Sequence, residues 1–166
     1  GFSGFKLHPD YVECAPTDPR MEAIYEAAAD FNLIAYFHAG DDENHHDKYG
    51  NPREFAAVNE QYPELKMVCA HFGSLWMWDE VEEHLVGRDN IWFDTAYTFG
   101  DRGISSEQFL RMAKAHGYDK ITFGTDGPWT DPQDSIDFIK KNAANIADSD
   151  LEWWMHGTAE RLLEAV

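Results

Sequence analysis

The chain alternates short apolar runs with longer segments of helical periodicity. Five apolar runs have the length and composition of buried strands, and they span Phe2–His8, Leu33–His38, Lys66–His71, Asn90–Asp94 and Lys120–Asp126. A helix-length segment follows each of these runs. Because strands that alternate with helices are typical of a parallel sheet covered by helices, we predict an α/β fold.

Capping signals mark the points where the helices begin. Asp18-Pro19, Asn51-Pro52 and Asp131-Pro132 each place an N-cap residue before a proline in the first helical position. Ser105 with Gln108 has the pattern of a capping box. These signals predict where the helices between the apolar runs begin.

Two architectures fit five strand–helix units. One is part of an eight-stranded barrel, and the other is a complete open sheet of the flavodoxin type. A barrel uses about 250 residues for eight units, so the 166 residues of this chain correspond to about five of them. The composition marks no second domain, and we treat residues 1–166 as a single domain.

The polar residues at the ends of the runs favour the barrel. The five runs end, in order, at His8, His38, His71, Asp94 and Asp126. A barrel brings the carboxyl ends of all its strands to one mouth, whereas an open sheet binds its ligand at one switch point. The segment after His8 also lacks the glycine-rich phosphate loop of a nucleotide-binding sheet. We therefore predict an incomplete (β/α)8 TIM-type barrel, with an open flavodoxin-like binding domain as the alternative.

The charge of the chain excludes some partners. Its 13 Lys and Arg residues stand against 31 Asp and Glu residues, which gives a formal charge of −18. Such a surface repels nucleic acid and anionic membranes, and it disfavours a barrel nuclease acting on DNA. No apolar run approaches the about 20 residues that span a bilayer, and the first residues lack the layout of a signal peptide. We expect a cytoplasmic protein with a small-molecule substrate, in which Cys14 and Cys69 are free thiols.

Three of the strand-end residues have the chemistry of a metal site. Neutral imidazole and carboxylate are the usual ligands of a catalytic divalent ion. His38, His71 and Asp126 supply both kinds of group, and we predict that they form the site. The alternative is that the two histidines are buried and hydrogen-bonded to loop backbone, while Asp126 caps a turn.

On these residues the chain resembles the amidohydrolase-related metal-dependent hydrolases, which include aminocarboxymuconate semialdehyde decarboxylase and related aromatic acid decarboxylases. The motifs that are similar to the family's fourth to eighth barrel strands are Gly4-Phe5-Lys6-Leu7-His8-Pro9, Phe37-His38-Ala39-Gly40, Cys69-Ala70-His71-Phe72-Gly73, Trp92-Phe93-Asp94-Thr95 and Phe123-Gly124-Thr125-Asp126. The tail from His156 to Leu163 is similar to the family's closing helix. The resemblance implies a barrel that binds one divalent ion, commonly zinc, with manganese as the alternative.

The resemblance also implies roles for individual residues. His38 and Asp126 would bind the ion, Asp126 would also accept a proton, and His71 would assist catalysis. The family's other two ligands form a His-x-His pair on the first strand, and this sequence contains no such pair, since His45-His46 lies in a polar loop. We therefore expect that the first three strands are missing from this chain, which also starts without a methionine. No role transfers to Asp94.

Further residues are expected around the site. Lys6 and His8 alternate onto the same side of their strand, and we predict that both bind substrate. Trp129 follows the last strand and is expected to form a wall of the pocket. The acidic loop from Gly40 to Gly50 is either a lid over the pocket or a solvated turn.

Three functions are consistent with the sequence. The leading one is a metal-dependent hydrolase that activates a metal-bound water against a small carbonyl, amide or lactone substrate. The alternative is a metal-dependent decarboxylase of an aromatic or unsaturated carboxylic acid. The third is a catalytically silent barrel fragment that needs an N-terminal segment or a partner chain. Unpaired sheet edges predict association in any case, either as a homo-oligomer or with the missing part of the barrel.

Overall fold

The computed structural model describes residues 1–42 and 49–165, and its centre is one parallel sheet. The five strands are β1 (Gly4–Leu7), β2 (Ile34–Phe37), β3 (Lys66–Cys69), β4 (Ile91–Asp94) and β5 (Ile121–Thr122). They lie in sequential order, β1-β2-β3-β4-β5, and each pairs in parallel with its neighbour. A flavodoxin-like sheet has the order 2-1-3-4-5, so the open-sheet alternative is wrong.

Helices connect the strands. The α-helices of the described residues are α1 (Pro9–Val12), α2 (Glu22–Asp30), α3 (Pro52–Gln61), α4 (Trp78–His84), α5 (Ser106–His116), α6 (Pro132–Asn142), α7 (Asp148–Glu152) and α8 (Thr158–Glu164). Short 3₁₀ turns precede α2, β5 and α7, and a π-helical turn, Trp153–Gly157, joins α7 to α8. Within the described residues no helix has both the length and the apolar character that a bilayer crossing requires.

The predicted capping signals are confirmed. At the start of four helical segments, the side-chain oxygen of the N-cap residue accepts a backbone N–H. These N-cap residues are Asp18, Asn51, Ser105 and Asp131. The capping box is only half formed, because the side chain of Gln108 donates to Asp79 of α4 at 2.8 Å instead of returning to Ser105. An N-cap of this kind stabilises a helix by about 1 kcal/mol.

Different elements pack against the two faces of the sheet. The outer face carries Phe37, Met67 and Phe93, which are almost fully buried against the helices. On the inner face, Ile34 and Val68 pack against Leu162 of α8. The inner face is thus partly covered by α8, and a cavity lies beside this contact.

The strands end earlier than the sequence predicts. Four of the predicted strand-end residues lie beyond their strands, and only Asp94 closes its strand, as the ends at Leu7, Phe37, Cys69 and Thr122 show. His71 and Asp126 have φ angles of 62° and 61°, in the left-handed region, which interrupts an extended chain. These side chains therefore leave the sheet on turns at its carboxyl edge.

The cysteines are as predicted. Cys14 and Cys69 are both free and both buried. Burial raises the pKa of each thiol, so both stay protonated at neutral pH and act as small apolar groups.

Candidate functional site

A cavity of about 540 Å³ lies on the inner face of the sheet. Its polar lining includes Lys6 of β1, Tyr36 of β2 and Asp94 of β4, together with His71 after β3 and Asp126 after β5. Three residues that the sequence assigned to the site, Lys6, His71 and Asp126, therefore share one cavity.

The other three predicted residues, His8, His38 and Trp129, lie outside the lining of this cavity. His38 does not line the cavity, but its ring contacts that of His71, with ring centroids 4.7 Å apart. Trp129 is 77% exposed and does not line the cavity, so the structure does not place it in the predicted pocket wall. The reason is local: the Trp129 N–H donates to the Asp126 carbonyl in a turn that leads the chain outward.

His71 is fixed by hydrogen bonds to its backbone and its ring. Its N–H donates to Asp94 Oδ1 at 2.8 Å, and its carbonyl accepts from Trp78 Nε1 at 3.1 Å. Its Nδ1 lies 2.8 Å from the carbonyl oxygen of Ala96. The side chain is 4% exposed. These contacts hold His71 in the left-handed backbone conformation, and residues in such sparsely populated conformations are common at functional sites.

The contacts of His71 decide which nitrogens carry hydrogens. Because a carbonyl oxygen only accepts, His71 Nδ1 donates to Ala96, and the neutral ring has a lone pair at Nε2. His38 Nδ1, 3.0 Å away, donates to that lone pair. His38 Nε2 therefore keeps its own lone pair. Burial, aided by the neighbouring His71, lowers the pKa of His38 to about 3, and burial also lowers the pKa of His71, so both rings are neutral at pH 7.

His8 extends this arrangement toward β1. Its ring stacks on that of His38, with centroids 3.8 Å apart and planes 6° apart, and on Tyr11 from the other side, also at 3.8 Å. His8 Nε2 lies 3.4 Å from Asp42 Oδ2. His8 thus reaches the mouth of the sheet, as its alternation with Lys6 predicts, although its binding of substrate stays a prediction.

The start of the predicted lid, at Ala39 and Gly40, is hydrogen-bonded to the segment after β3. The Gly40 N–H donates to the Gly50 carbonyl at 2.7 Å, and the Leu75 N–H donates to Ala39 at 2.8 Å. Gly40 has a φ of 96°, and a Cβ there would lie 2.1 Å from the Leu75 nitrogen, so only glycine fits. The rest of the predicted lid, residues 43–48 with His45-His46, lies outside the described residues.

Asp94 has a place in the site that the sequence did not assign. Its side chain is 2% exposed, and Oδ1 accepts the N–H groups of His71 and Ala96 at 2.8 and 3.0 Å. Its Oδ2 accepts the hydroxyl of Tyr36. Burial raises the pKa of Asp94 to about 6. The signal in the sequence is its position as the last residue of β4, beside β3.

Lys6 is the cation of the cavity. Its Nζ lies 4.2 Å from the centre of the Tyr36 ring, in a cation–π contact. The Tyr36 ring is in turn anchored through its hydroxyl to Asp94. Lys6 is therefore positioned by the same hydrogen-bonded group that positions His71.

His38 has the chemistry of a metal ligand. Its Nε2 is buried and has no hydrogen-bond partner among the described residues, and a neutral imidazole lone pair is what a divalent ion requires. The ion that the resemblance implies therefore fits His38. Asp126 lines the cavity beside His71, but the described residues that come close together as three potential ligands are His8, Asp10 and His38.

The sequence matches a known protein family. The family described as amidohydrolase matches residues 1–165, which is almost the whole chain. This chain belongs to the amidohydrolase family. The resemblance that the sequence predicts is therefore confirmed at the level of the family. A comparison with curated proteins found no match to the chain.

Solved structures share its fold. They include an uncharacterized TIM-barrel protein from Bordetella bronchiseptica (22% identity, TM-score 0.78, 96% of this chain and 57% of that chain). They also include 5-carboxyvanillate decarboxylase from Sphingomonas paucimobilis (16% identity, TM-score 0.70, 98% of this chain and 58% of that chain). A third is dihydroxybenzoic acid decarboxylase from Polaromonas sp. JS666 with bound manganese and the inhibitor 2-nitroresorcinol (15% identity, TM-score 0.63, 91% of this chain and 55% of that chain). The chain therefore spans less than two thirds of the length of these structures, and its fold is confirmed as part of a TIM barrel.

Proposed function

We propose that this chain is part of a metal-dependent decarboxylase of a small aromatic or unsaturated carboxylic acid. The observation that carries the proposal is the composition of the cavity, which combines a cation, an aromatic ring and two acid–base groups: Lys6, Tyr36, His71 and Asp126. Its volume of about 540 Å³ is in the usual range of small-molecule sites. Two structural neighbours, both decarboxylases of aromatic acids, support the same substrate class.

Lys6 is the group that binds the substrate carboxylate in this proposal. The protein carries a formal charge of −18, so its overall field repels an anion. A fixed ammonium group in the cavity offsets that repulsion locally. The contact with the Tyr36 ring holds Lys6 at the cavity wall, and the aromatic ring of Tyr36 suits an unsaturated or aromatic substrate.

His71 and Asp126 move the proton. Decarboxylation breaks the bond between the carboxylate and the adjacent carbon, the electron pair stays on that carbon, and the carbon takes a proton as carbon dioxide leaves. His71 is neutral at pH 7, and the negative charge of Asp126 raises its affinity for a proton. A proton taken up at His71 Nε2 is therefore stabilised until it passes to the substrate carbon. This step requires Nε2 to exchange its partner His38 for the substrate.

His38 would hold the divalent ion through Nε2, with Asp126 as the second ligand that the resemblance implies. A bound ion supplies Lewis acidity, which polarises the oxygen atoms of a substrate. Zinc and manganese both accept imidazole and carboxylate ligands, and one structural neighbour contains manganese.

Hydrolysis is the second candidate. The family is described as amidohydrolase, and the same two groups, His71 and Asp126, can take a proton from water as well as give one to carbon. In that case the substrate is a small amide, ester or lactone, and Lys6 has no carboxylate to bind.

The two candidates are separated by their products. We would supply the protein with manganese or zinc and measure carbon dioxide release from hydroxybenzoates and unsaturated dicarboxylates, and acid release from lactones and amides. We expect carbon dioxide release, with a raised KM in Lys6→Met. Lys140→Met is the matched control, because Lys140 lies on the exposed face of α6. Acid release from a lactone without any carbon dioxide would contradict the decarboxylase and favour the hydrolase.

We also propose that further strands complete the barrel wall. Among the described residues, β1 pairs only with β2 and β5 only with β4, so the sheet has two unpaired edges. An N-terminal segment or a second copy of the chain would satisfy those edges. Sedimentation of the protein is expected to show association, and a stable monomer at high concentration would argue against this proposal.

A further inference from the structure

Thr95 is the residue at which the chain leaves β4. Its N–H still donates to the Thr122 carbonyl of β5, at 3.1 Å. The backbone then turns away from β5, because the Ala96 N–H donates back to Asp94 Oδ1 at 3.0 Å and the Thr95 carbonyl accepts the Thr98 N–H at 3.4 Å. These backbone groups are therefore no longer available to pair with the residues that follow β5.

The side chain of Thr95 pairs with the next segment instead. Gly124 lies two residues beyond the end of β5, and its N–H donates to Thr95 Oγ1 at 3.1 Å. The same hydroxyl donates to the Gly124 carbonyl, also at 3.1 Å. A hydroxyl can donate and accept at once, so one buried side chain satisfies both backbone groups of Gly124. The pairing of β4 with β5 thus continues for one more residue through a side chain.

This contact lies close to Asp126, which follows Gly124 by two residues. Gly124 and Asp126 both line the cavity, and Asp126 has a left-handed φ of 61°. Two other hydrogen bonds support this turn, from the Trp129 N–H to the Asp126 carbonyl and from the Thr130 hydroxyl to the Thr125 carbonyl. Both lie within the segment itself, whereas the bonds of Gly124 attach the segment to β4.

We propose that Thr95 is a positioning residue, which holds Asp126 at the cavity through the backbone of Gly124. Two adjacent residues then position both groups that move the proton, since Asp94 holds the backbone of His71 and Thr95 holds the segment of Asp126. The inference rests on the proposed function for what Asp126 does to a substrate. The attachment of Gly124 to Thr95 is independent of that function.

Amide hydrogen exchange of the wild-type protein, followed by NMR, gives the first test. Gly124 lies outside the strands, so its amide would exchange rapidly if it had no partner. Because the Thr95 hydroxyl accepts this N–H, we expect protection comparable to that of the amides within the sheet. Exchange of the Gly124 amide at the rate of an open loop would overturn the proposal without any variant.

Thr95→Val removes the hydroxyl and leaves both backbone groups of Gly124 without their partner. We expect the Gly124 amide to lose its protection and the backbone chemical shifts of Asp126 to move. In the carbon dioxide assay, kcat should fall about 10–100-fold, since a displacement of about 1 Å can cost about 10²-fold. KM should change little, because Lys6 lies on β1. Thr95→Ser keeps the hydroxyl and should restore protection, shifts and kcat.

Thr158→Val is the matched control. Thr158 is also fully buried, and its hydroxyl donates to the Tyr118 carbonyl at 3.2 Å, away from Gly124. This variant is expected to melt at a lower temperature than the wild type but to keep the Gly124 protection and kcat. Loss of a buried threonine hydroxyl is thereby separated from loss of the contact with Gly124.

The outcomes distinguish this inference from the proposed function. If Thr95→Val keeps the Gly124 protection, or Thr95→Ser does not restore it, the inference is overturned whatever the activity. If protection is lost and kcat is unchanged, the positioning role is overturned while the decarboxylase stands. If the wild type releases no carbon dioxide, the proposed function fails, and paired changes at Gly124 and Asp126 that Thr95→Ser reverses still support the inference.

Discussion

Replacing Asp94 with asparagine is expected to stabilise the protein at neutral pH. Burial raises the pKa of Asp94 from 3.8 to about 6. Because the pKa is higher in the folded state, the folded protein binds more protons than the unfolded chain between these values, and its stability falls as the pH rises through them. The shift corresponds to about 3 kcal/mol at pH 7. Asparagine carries no charge, so Asp94→Asn should recover up to this amount.

Asp94→Ala measures the other contribution of the same side chain. Oδ1 accepts two buried N–H groups, those of His71 and Ala96, and an asparagine oxygen can accept both. Alanine leaves both donors without an acceptor, at a cost of about 1–3 kcal/mol each. We therefore expect Asp94→Ala to be about 2–6 kcal/mol less stable than Asp94→Asn, before any cost of the cavity is added.

Urea unfolding near pH 7 and near pH 5 tests both parts of this reasoning. The advantage of Asp94→Asn over the wild type should be largest near pH 7 and shrink near pH 5, where the folded wild type is mostly protonated at Asp94. An equal advantage at both pH values would refute the desolvation argument. Equal stability of the asparagine and alanine variants would refute the role of Oδ1 in holding His71.

Three further outcomes are expected. Lys6→Met should raise KM for a carboxylate substrate about tenfold or more with little change in kcat, because a charge-assisted contact contributes about 1.5–3 kcal/mol, and Lys6→Arg should restore much of it in steady-state kinetics. His71→Gln should lower kcat about 10²–10⁴-fold but keep zinc in equilibrium dialysis, since His71 contacts His38 only by a hydrogen bond. Burial lowers the pKa of His116 to about 3, so stability should fall by about 1.4 kcal/mol per pH unit below pH 6.5 as the unfolded chain takes up the proton. His116→Gln should reduce that slope in pH-dependent unfolding, and an unchanged slope would contradict the assignment.

The order of the elements could be predicted because its signals are local. Apolar runs and N-cap residues act over a few positions, and the caps at Asn51 and Asp131 are where the sequence places them. The parallel sheet with sequential strands then follows from right-handed connections of the usual length. The identity of the strand-end residues at the mouth was predictable for the same reason.

The exact ends of the strands could not be predicted, because they depend on contacts between distant residues. β3 stops before His71 because the His71 N–H turns away to Asp94, 23 positions along the chain. β5 is only two residues long, although the apolar run continues to Asp126. Asp10 was also missed, since its burial beside Tyr49 involves a separation of 39 residues that no periodicity shows.

The contacts among the site residues explain how an incomplete barrel can hold these side chains in position. The Lys6 ammonium lies on Tyr36 of the next strand, Tyr36 donates to Asp94, and Asp94 holds the backbone of His71. His71 in turn accepts from His38, the residue whose lone pair is left for an ion. In a sequential parallel sheet neighbouring strands are about 4.8 Å apart, so each group can be positioned by a strand beside it or next but one. None of these contacts requires a residue from outside β1 to β4 and their carboxyl-end turns. Since Asp94 stays buried at a cost in stability near pH 7, we infer that the contacts it fixes, rather than stability, are what its carboxylate contributes.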